Sequence, residues 1–145
     1  MLNRHEKQKC VFPMVNPKTA KELLDRHYES LSGKGEPGPL SENFLLTGTV
    51  ANEARGRGAY ANSMFFRFVK SLKVKTMIIE GGRACAVVNY GLVSPKGDSL
   101  SCDAAEIWEI KNGKLDSMAM YFDTAAYQKF MLPVLFPLSR FKRKK

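Results

Sequence analysis

A β-hairpin that leads directly into a helix is predicted between residues 99 and 128 (SLSCDAAEIWEIKNGKLDSMAMYFDTAAYQ). Residues 100–110 and 115–121 are long enough for two strands, and the KNGK segment between them has the asparagine–glycine pair typical of a tight turn. Asp123 and Thr124 can cap a helix that continues through residues 125–128. Because a hairpin cannot bury its apolar residues alone, we expect the upstream chain to close a pocket against it.

The composition is typical of one globular domain in a reducing compartment. With 145 residues, 44% of them hydrophobic, the chain can bury a sizeable core. The N-terminal residues are charged, and no apolar run is long enough for a signal peptide or a membrane span. Cys10, Cys85 and Cys102 are too scattered for a disulfide framework or a metal site, and we expect Cys85 and Cys102 to fill the core. A cytoplasmic location is therefore predicted.

The net charge of +9 is concentrated at the two ends of the sequence. Residues 140–145 carry five positive charges and residues 1–10 a net two, so residues 11–139 are nearly balanced at +2. A basic face on the folded domain is therefore not expected, and no nucleic-acid partner is predicted.

The segment before the basic end is apolar but contains Pro133 and Pro137, which predict that no continuous helix runs through it. We expect this apolar part to pack on the outer sheet of this chain or of a partner. The basic end is expected to remain solvated, without membrane contact.

The other segments predict an α+β fold. After a loose arm at residues 1–15, Asn16 and Pro17 begin a first helix, whose apolar stripe comprises Ala20, Leu23, Leu24, His27 or Tyr28, and Leu31. Residues 44–50 predict a strand, and residues 59–72 a second helix with Phe65 and Phe68 on its apolar face. Strands at residues 74–80 and 83–93 then join the hairpin in a four-stranded antiparallel meander. Such a sheet is expected to curve around the first helix.

The order of these elements, the FLLTGTV…EARGRGAY passage with its Gly56–Arg57 pair, and the EIWEIKNGKLDSMAMYFD hairpin resemble the nuclear transport factor 2-like superfamily. Within it, the SnoaL-like and ketosteroid isomerase-like groups are the most similar. The resemblance divides the chain into an arm (1–15), a SnoaL-like domain (16–131) and a basic tail (132–145). It implies a cone-shaped, cystatin-like α+β barrel in which a curved antiparallel sheet wraps around helices and encloses an apolar pocket. Because that fold supports many functions, the site must be argued from its residues.

The resemblance also implies where polar groups stand in the pocket. The late-strand acid of the isomerases falls on Glu106, and their first-helix tyrosine falls on His27 or, one residue out of register, Tyr28. Their general base falls near Thr47 and Gly48, where this sequence has no carboxylate. Because an enolising base must be able to hold a proton, isomerase chemistry of that kind is not predicted in full.

The length of the hairpin loop decides which face of the sheet carries Glu106. A two-residue loop would place Glu109 opposite Asp116, an unfavourable like-charge pair, and would turn Glu106 away from Met118 and Met120. A three-residue loop would place Glu106 opposite Met118, on the same face as Trp108 and Phe122, because one residue of register reverses every side chain. Charge and resemblance both favour the three-residue loop.

An inward Glu106 would be desolvated, which favours its protonated form. We expect a small, largely apolar molecule to bind beside it, with Glu106, His27 and Tyr28 as candidate catalytic groups for isomerase or lyase chemistry. The predicted pocket residues are Phe65, Phe68, Asn89, Trp108, Met118, Met120 and Phe122. No cofactor or metal motif is present.

The alternative function is a non-catalytic dimerisation or scaffold module whose pocket is filled by its own side chains. The outer face of the hairpin is apolar enough to pair with a second sheet, and a homodimer through it is predicted. The residues of that face are Ala105, Ile107, Ala119 and Tyr121.

Overall fold

Three helices and six strands make up the part of the chain that the structure, a computed structural model, describes: residues 17–32, 39–49, 54–57 and 63–136. The predicted arm and the basic run lie outside these residues. The elements are α1 (Pro17–Leu31), β1 (Leu40–Gly48), β2 (Ala54–Arg55), α2 (Met64–Arg67), β3 (Val69–Glu80), β4 (Arg83–Val93), β5 (Ser99–Lys111), β6 (Lys114–Phe122) and α3 (Thr124–Leu135).

All six strands form one open sheet in the order β2-β1-β6-β5-β4-β3. Strands β3 to β6 are the predicted antiparallel meander, while β1 joins it by parallel pairing with β6. The predicted fold class is confirmed. Side chains alternate along β4 and β5 between a buried inner face and a more exposed outer face. Residues of α1, α2 and α3 join the buried inner residues of the sheet in one core.

The predicted second helix over residues 59–72 is wrong in its second half. Only Met64–Arg67 are helical among the described residues of this stretch, and β3 begins at Val69. Val69 and Leu72 pair with β4, opposite Leu92 and Tyr90, so their backbone groups are satisfied in the sheet. The local spacing of apolar residues suits either element, and the long-range pairing decides between them.

The final helix differs from its prediction in a similar way. Asp123 caps α3 as expected, since its Oδ1 accepts hydrogen bonds from the backbone N–H groups of Ala125 and Ala126. However, α3 runs through Pro133 to Leu135. Pro133 lies in the last turn, where it supplies no N–H to the helix, and the helix ends two residues later.

The two described cysteines have different environments. Cys102 is buried, as predicted, whereas Cys85 is exposed on the outer face of the sheet, where it pairs with Ile78 and Ile107 on the neighbouring strands. The prediction that Cys85 fills the core is therefore wrong, because its position in the alternation of β4 points it outward. Among the described residues, no helix is both long and apolar enough to cross a membrane.

Candidate functional site

Glu106 lies on the inner face of the sheet, although the hairpin loop is not the predicted one. Asn112 and Gly113 form a two-residue turn with φ values of 52° and 70°, as a primed hairpin turn requires. Ile110 therefore pairs with Leu115, but the register then shifts by one residue, so that Glu109 pairs with Ser117.

This irregularity between Glu109 and Ile110 is a β-bulge that takes up one extra residue of β6. It prevents the like-charge pair of Glu109 and Asp116. Glu106 lies opposite Met120, whereas the predicted three-residue loop would have placed it opposite Met118. The predicted loop length is wrong, and the inward orientation of Glu106 is right because the bulge reverses the side chains once more.

The carboxylate of Glu106 is completely buried, and two phenols hold it. Tyr28 on α1 donates its O–H to Oε1 at 2.6 Å, and Tyr90 on β4 donates to Oε2 at 2.5 Å. The Tyr28 oxygen in turn accepts a hydrogen bond of 3.1 Å from Trp108 Nε1. Both carboxylate oxygens are thus satisfied, as a buried polar group requires.

Burial raises the pKa of Glu106 from 4.5 to about 7, and the hydrogen-bonding groups Tyr28, Tyr90 and Trp108 act in the opposite direction. Desolvation prevails because taking a carboxylate out of water costs more than a few hydrogen bonds return. Near neutral pH, the protonated and ionised forms of Glu106 therefore coexist. In the protonated form, one of its hydrogen bonds can reverse, so that the carboxyl group donates.

His27 is placed beside this network. It is buried, and its ring lies 4.8 Å from the Trp108 ring in an edge-to-face arrangement. Burial lowers the pKa of His27 to about 3, so the imidazole is neutral at physiological pH. Of the two candidates on the first helix, Tyr28 is the one that the structure joins to Glu106.

The predicted apolar pocket residues surround Glu106 and fill the space next to it. Trp108, Met118, Met120 and Phe65 have no solvent exposure, while Phe68 and Phe122 are half-buried at the edge of the core. The Phe65 ring lies 5.3 Å from the Tyr90 ring and 5.0 Å from that of Phe122. Among the described residues, these side chains pack against one another in the core around the carboxylate.

Asn89 is separated from this group. It lies on the outer face of β4, where its Nδ2 donates to Ser101 Oγ at 3.0 Å and to Asp103 Oδ1 at 2.9 Å. Asp103 also forms a 2.8 Å ion pair with Lys75. Asn89, predicted as a pocket residue, thus bonds to the neighbouring strand, and it contributes to a cleft of about 320 Å³ near the start of α3.

The backbone at the expected base position is in close contact with β6. Thr47 and Gly48 pair with Ala119 and Met120, and the N–H of Thr49 donates to the Met120 carbonyl at 2.7 Å. Gly48 has a φ of 100°, and a Cβ there would lie 2.2 Å from the Met120 oxygen. This site is therefore a packing contact, and no described residue of this segment supplies a carboxylate.

An open cleft of about 600 Å³ lies between α1 and the edge strand β3. The helix contributes one polar face to it, and β3 contributes inward apolar side chains. Its lining residues are Asp25, Tyr28, Glu29, Ser32, Leu72 and Val74. Tyr28 thus lines the cleft and also contacts the buried Glu106.

Sequence reasoning missed Tyr90 and the cleft. Tyr90 lies in an otherwise apolar stretch of β4, and the five-residue loop at residues 94–98 fixes its pairing with Cys102 on β5. The cleft had no usable signal, because it depends on how α1 lies across β3.

By sequence, the chain matches no protein-family model and no curated protein. Solved structures resemble it in fold. An NTF2-like protein of unknown function from Burkholderia pseudomallei superposes with a TM-score of 0.66 at 15% identity, over 77% of this chain and 95% of that one. A candidate SnoaL-like polyketide cyclase from Jannaschia sp. CCS1 gives a TM-score of 0.65 at 13% identity, over 86% and 96% of the two chains.

A candidate ketosteroid isomerase from Kribbella flavida gives a TM-score of 0.59 at 16% identity, over 76% of this chain and 82% of that one. Identities this low establish the fold and leave the function open. The curved sheet, the helix across its inner face and these superpositions agree with the predicted resemblance: the chain has the nuclear transport factor 2-like, SnoaL-like fold.

Proposed function

We propose that this protein binds a small, largely apolar molecule in the cleft between α1 and β3, with Tyr28 at its polar end. The observation that carries the proposal is the double placement of Tyr28, which lines the cleft and hydrogen-bonds Glu106 in the core. The cleft combines apolar side chains on β3 with a small number of polar groups on α1, and small-molecule sites usually combine these two kinds of group.

The cleft determines how such a ligand would lie. Its apolar body packs on Leu72, Val74 and the Tyr28 ring, and its outer end meets Asp25 and Glu29. An oxygen on the inner end, such as a ketone carbonyl, accepts the Tyr28 hydroxyl hydrogen bond in place of Glu106 Oε1. The protonated form of Glu106 then loses less than the carboxylate would, because a neutral carboxyl group is cheaper to leave with fewer partners.

The arrangement favours binding over catalysis. Isomerase and lyase chemistry requires a group that removes a substrate proton. Both oxygens of Glu106 are occupied by phenols, the buried His27 is a weak base because its pKa is about 3, and the described residues 44–49 have no carboxylate. Of the candidate catalytic residues Glu106, His27 and Tyr28, Tyr28 is the one that lines the cleft, so it hydrogen-bonds the ligand and Glu106 acts through Tyr28.

Binding of the fluorescent aryl ketone prodan, measured by titration, tests the proposed cleft. The native chain should bind it, and Val74→Trp should abolish binding because the indole would occupy the cleft. Thr76→Trp is the matched control, since it adds the same side chain to the same strand at an exposed position. Equal binding by all three proteins, or none by the native chain, would reject the site.

A second candidate function, a dimerisation module, is favoured by the outer face of the sheet. Ile78, Ile107 and Tyr121 are 67%, 46% and 52% exposed there, and Ala105 and Ala119 lie among them. A homodimer through this face would bury these residues against the same face of a second copy. Sedimentation equilibrium tests it: the native chain should be dimeric and Ile107→Lys monomeric, and a monomeric native chain would refute it.

A further inference from the structure

The described residues that line the α1–β3 cleft carry negative charge and no positive charge. Asp25 and Glu29 on α1 contribute two carboxylates, while β3 contributes only Leu72 and Val74. The four helical lining residues fall at positions i, i+3, i+4 and i+7, so they share one face over about 10 Å of helix. A molecule in the cleft therefore has an apolar wall on one side and carboxylates on the other.

The two carboxylates differ in their partners. Asp25 is already paired with a cation, since Lys21 Nζ lies 2.6 Å from its Oδ2, one helical turn away. In the part of the chain that the structure describes, the Glu29 side chain is exposed and forms no ion pair and no hydrogen bond. Glu29 thus leaves a negative charge in the cleft that a cationic ligand would neutralise.

The lysines of β3 nearest to the cleft face the other side of the sheet. Lys73 and Lys75 flank Val74 in the sequence. Lys73 pairs with Asn89 on the outer face, and Lys75 forms its ion pair with Asp103 there. Neither lysine is a lining residue, so β3 presents an uncharged wall to the cleft.

The C-terminal end of α1 adds a second source of negative potential. This helix of 15 residues ends at Leu31 and has no basic residue in its last turn. Because its peptide dipoles are aligned, the C-terminal end carries a partial negative charge that favours a nearby cation. Glu29 lies in the last turn and Ser32 follows it, and both line the cleft. A side-chain charge and a helix end therefore act in the same direction at the outer end of the cleft.

We propose that the ligand of this cleft is an organic ammonium ion, in which a positively charged nitrogen is attached to a largely apolar body. The inference rests on the proposed function and names the chemical class of its ligand. The ammonium group lies beside Glu29 and the end of α1, and the apolar body packs on Leu72 and Val74 and reaches Tyr28. A carboxylate at the outer end would instead meet two like charges, which opposes an anionic ligand such as a fatty acid.

Two naphthyl ketones of the same shape and different charge test the inference. One carries a trimethylammonium group where prodan carries its dimethylamino group, and the other carries a tert-butyl group there. Calorimetric titration gives both affinities. The native chain should bind the cation about tenfold more tightly, since one carboxylate contributes a factor of about five and the helix end about two. Added salt should reduce this ratio of affinities.

The charge of Glu29 is tested with Glu29→Gln, which keeps the size of the side chain and should lower the ratio about fivefold. Glu80→Gln is the matched control, because it makes the same change at an exposed position of β3, opposite Arg83 on the outer face, and should keep the native ratio. Asp25→Asn should lower the ratio less than Glu29→Gln, because Lys21 already pairs with Asp25.

The possible outcomes separate this inference from the proposed function. If the native chain binds both ketones equally, or if Glu29→Gln keeps the native ratio, the ammonium class is wrong and the cleft remains a ligand site. If neither ketone nor prodan binds, the proposed function fails and the inference fails with it.

Discussion

Tyr28 and Glu106 lie 78 residues apart in the sequence and are joined inside the core by a 2.6 Å hydrogen bond. The bond connects the first helix to the centre of the sheet, and Tyr28 also forms part of the wall of the α1–β3 cleft. A molecule that accepted the Tyr28 hydrogen bond in the cleft would therefore be coupled to the protonation of the buried carboxyl group.

Glu106 should make the protein less stable as the pH rises towards neutrality. Its pKa is about 7 in the folded chain against 4.5 for an ordinary glutamate, so its contribution is full below about pH 4.5 and is lost as the pH rises to about 7. The difference corresponds to about 3 kcal/mol of unfolding free energy. Urea unfolding of native protein and Glu106→Gln across this range measures it, and identical pH profiles would contradict the assignment.

His27 should act in the opposite direction. Burial lowers its pKa from 6.5 to about 3, so its contribution is full above about pH 6.5 and is lost as the pH falls towards 3. This amounts to about 5 kcal/mol at most. Between pH 4.5 and 6.5 the two effects oppose each other, so the native chain should show a shallow profile there. In His27→Gln, the free energy of unfolding should fall between pH 4.5 and 6.5 because Glu106 acts alone there. A profile still flat in that variant would contradict the two opposing pKa shifts.

Tyr90→Phe should destabilise the fold and raise the pKa of Glu106 further. The substitution removes the O–H that donates to Oε2 and leaves a buried acceptor short of a partner, at a cost of about 1–3 kcal/mol. Tyr121→Phe makes the same chemical change at a position 52% exposed and should have little effect on stability. Denaturant unfolding compares the two, and the carboxyl signal in ¹³C NMR titration gives the pKa. Equal effects of the two substitutions would show that the Tyr90 hydroxyl contributes nothing.

Gly48→Ala should be much more harmful than Gly97→Ala. Both glycines have left-handed φ values, 100° and 89°, but a Cβ at Gly48 meets the Met120 carbonyl whereas a Cβ at Gly97 meets nothing within 4 Å. The backbone penalty alone is about 1–2 kcal/mol and should appear in both variants. The additional destabilisation of Gly48→Ala relative to Gly97→Ala measures the contact between β1 and β6, and thermal unfolding would reveal it. A similar melting temperature for the two variants would mean that β1 does not approach β6 this closely.

How far the sequence determines the fold is clearest in the hairpin. Asn112 and Gly113 predict the turn, Asp123 predicts the cap of α3, and alternation along β5 predicts a row of inward residues that includes Glu106. The β-bulge between Glu109 and Ile110 could not be predicted from the local sequence, because it arises from the competition between turn geometry, charge and burial. The inward orientation was nevertheless correct, since burial of Met118, Met120 and Trp108 on one face outweighs the turn.

The site was harder to predict than the fold. The family resemblance predicts Glu106 and leaves His27 and Tyr28 as alternatives. Tyr90 requires the register of β4 against β5, which depends on loop length. The prediction was wrong for the end of the second helix because Val69 and Leu72 belong to β3 and pair with β4. The cleft depends on how α1 crosses the edge strand, and no local pattern records that geometry.

Prodan emission in the bound state reports whether Tyr28 donates a hydrogen bond to a ligand in the cleft, because a hydrogen bond to the ketone shifts the emission to longer wavelength. Native protein should bind prodan with shifted emission. Tyr28→Phe, which keeps the ring and loses the hydroxyl group, should bind it with emission typical of an apolar site, while Tyr121→Phe should behave like the native chain. Unchanged emission in Tyr28→Phe, or no binding of prodan by the native protein, would contradict a ligand site built on Tyr28 and Glu106.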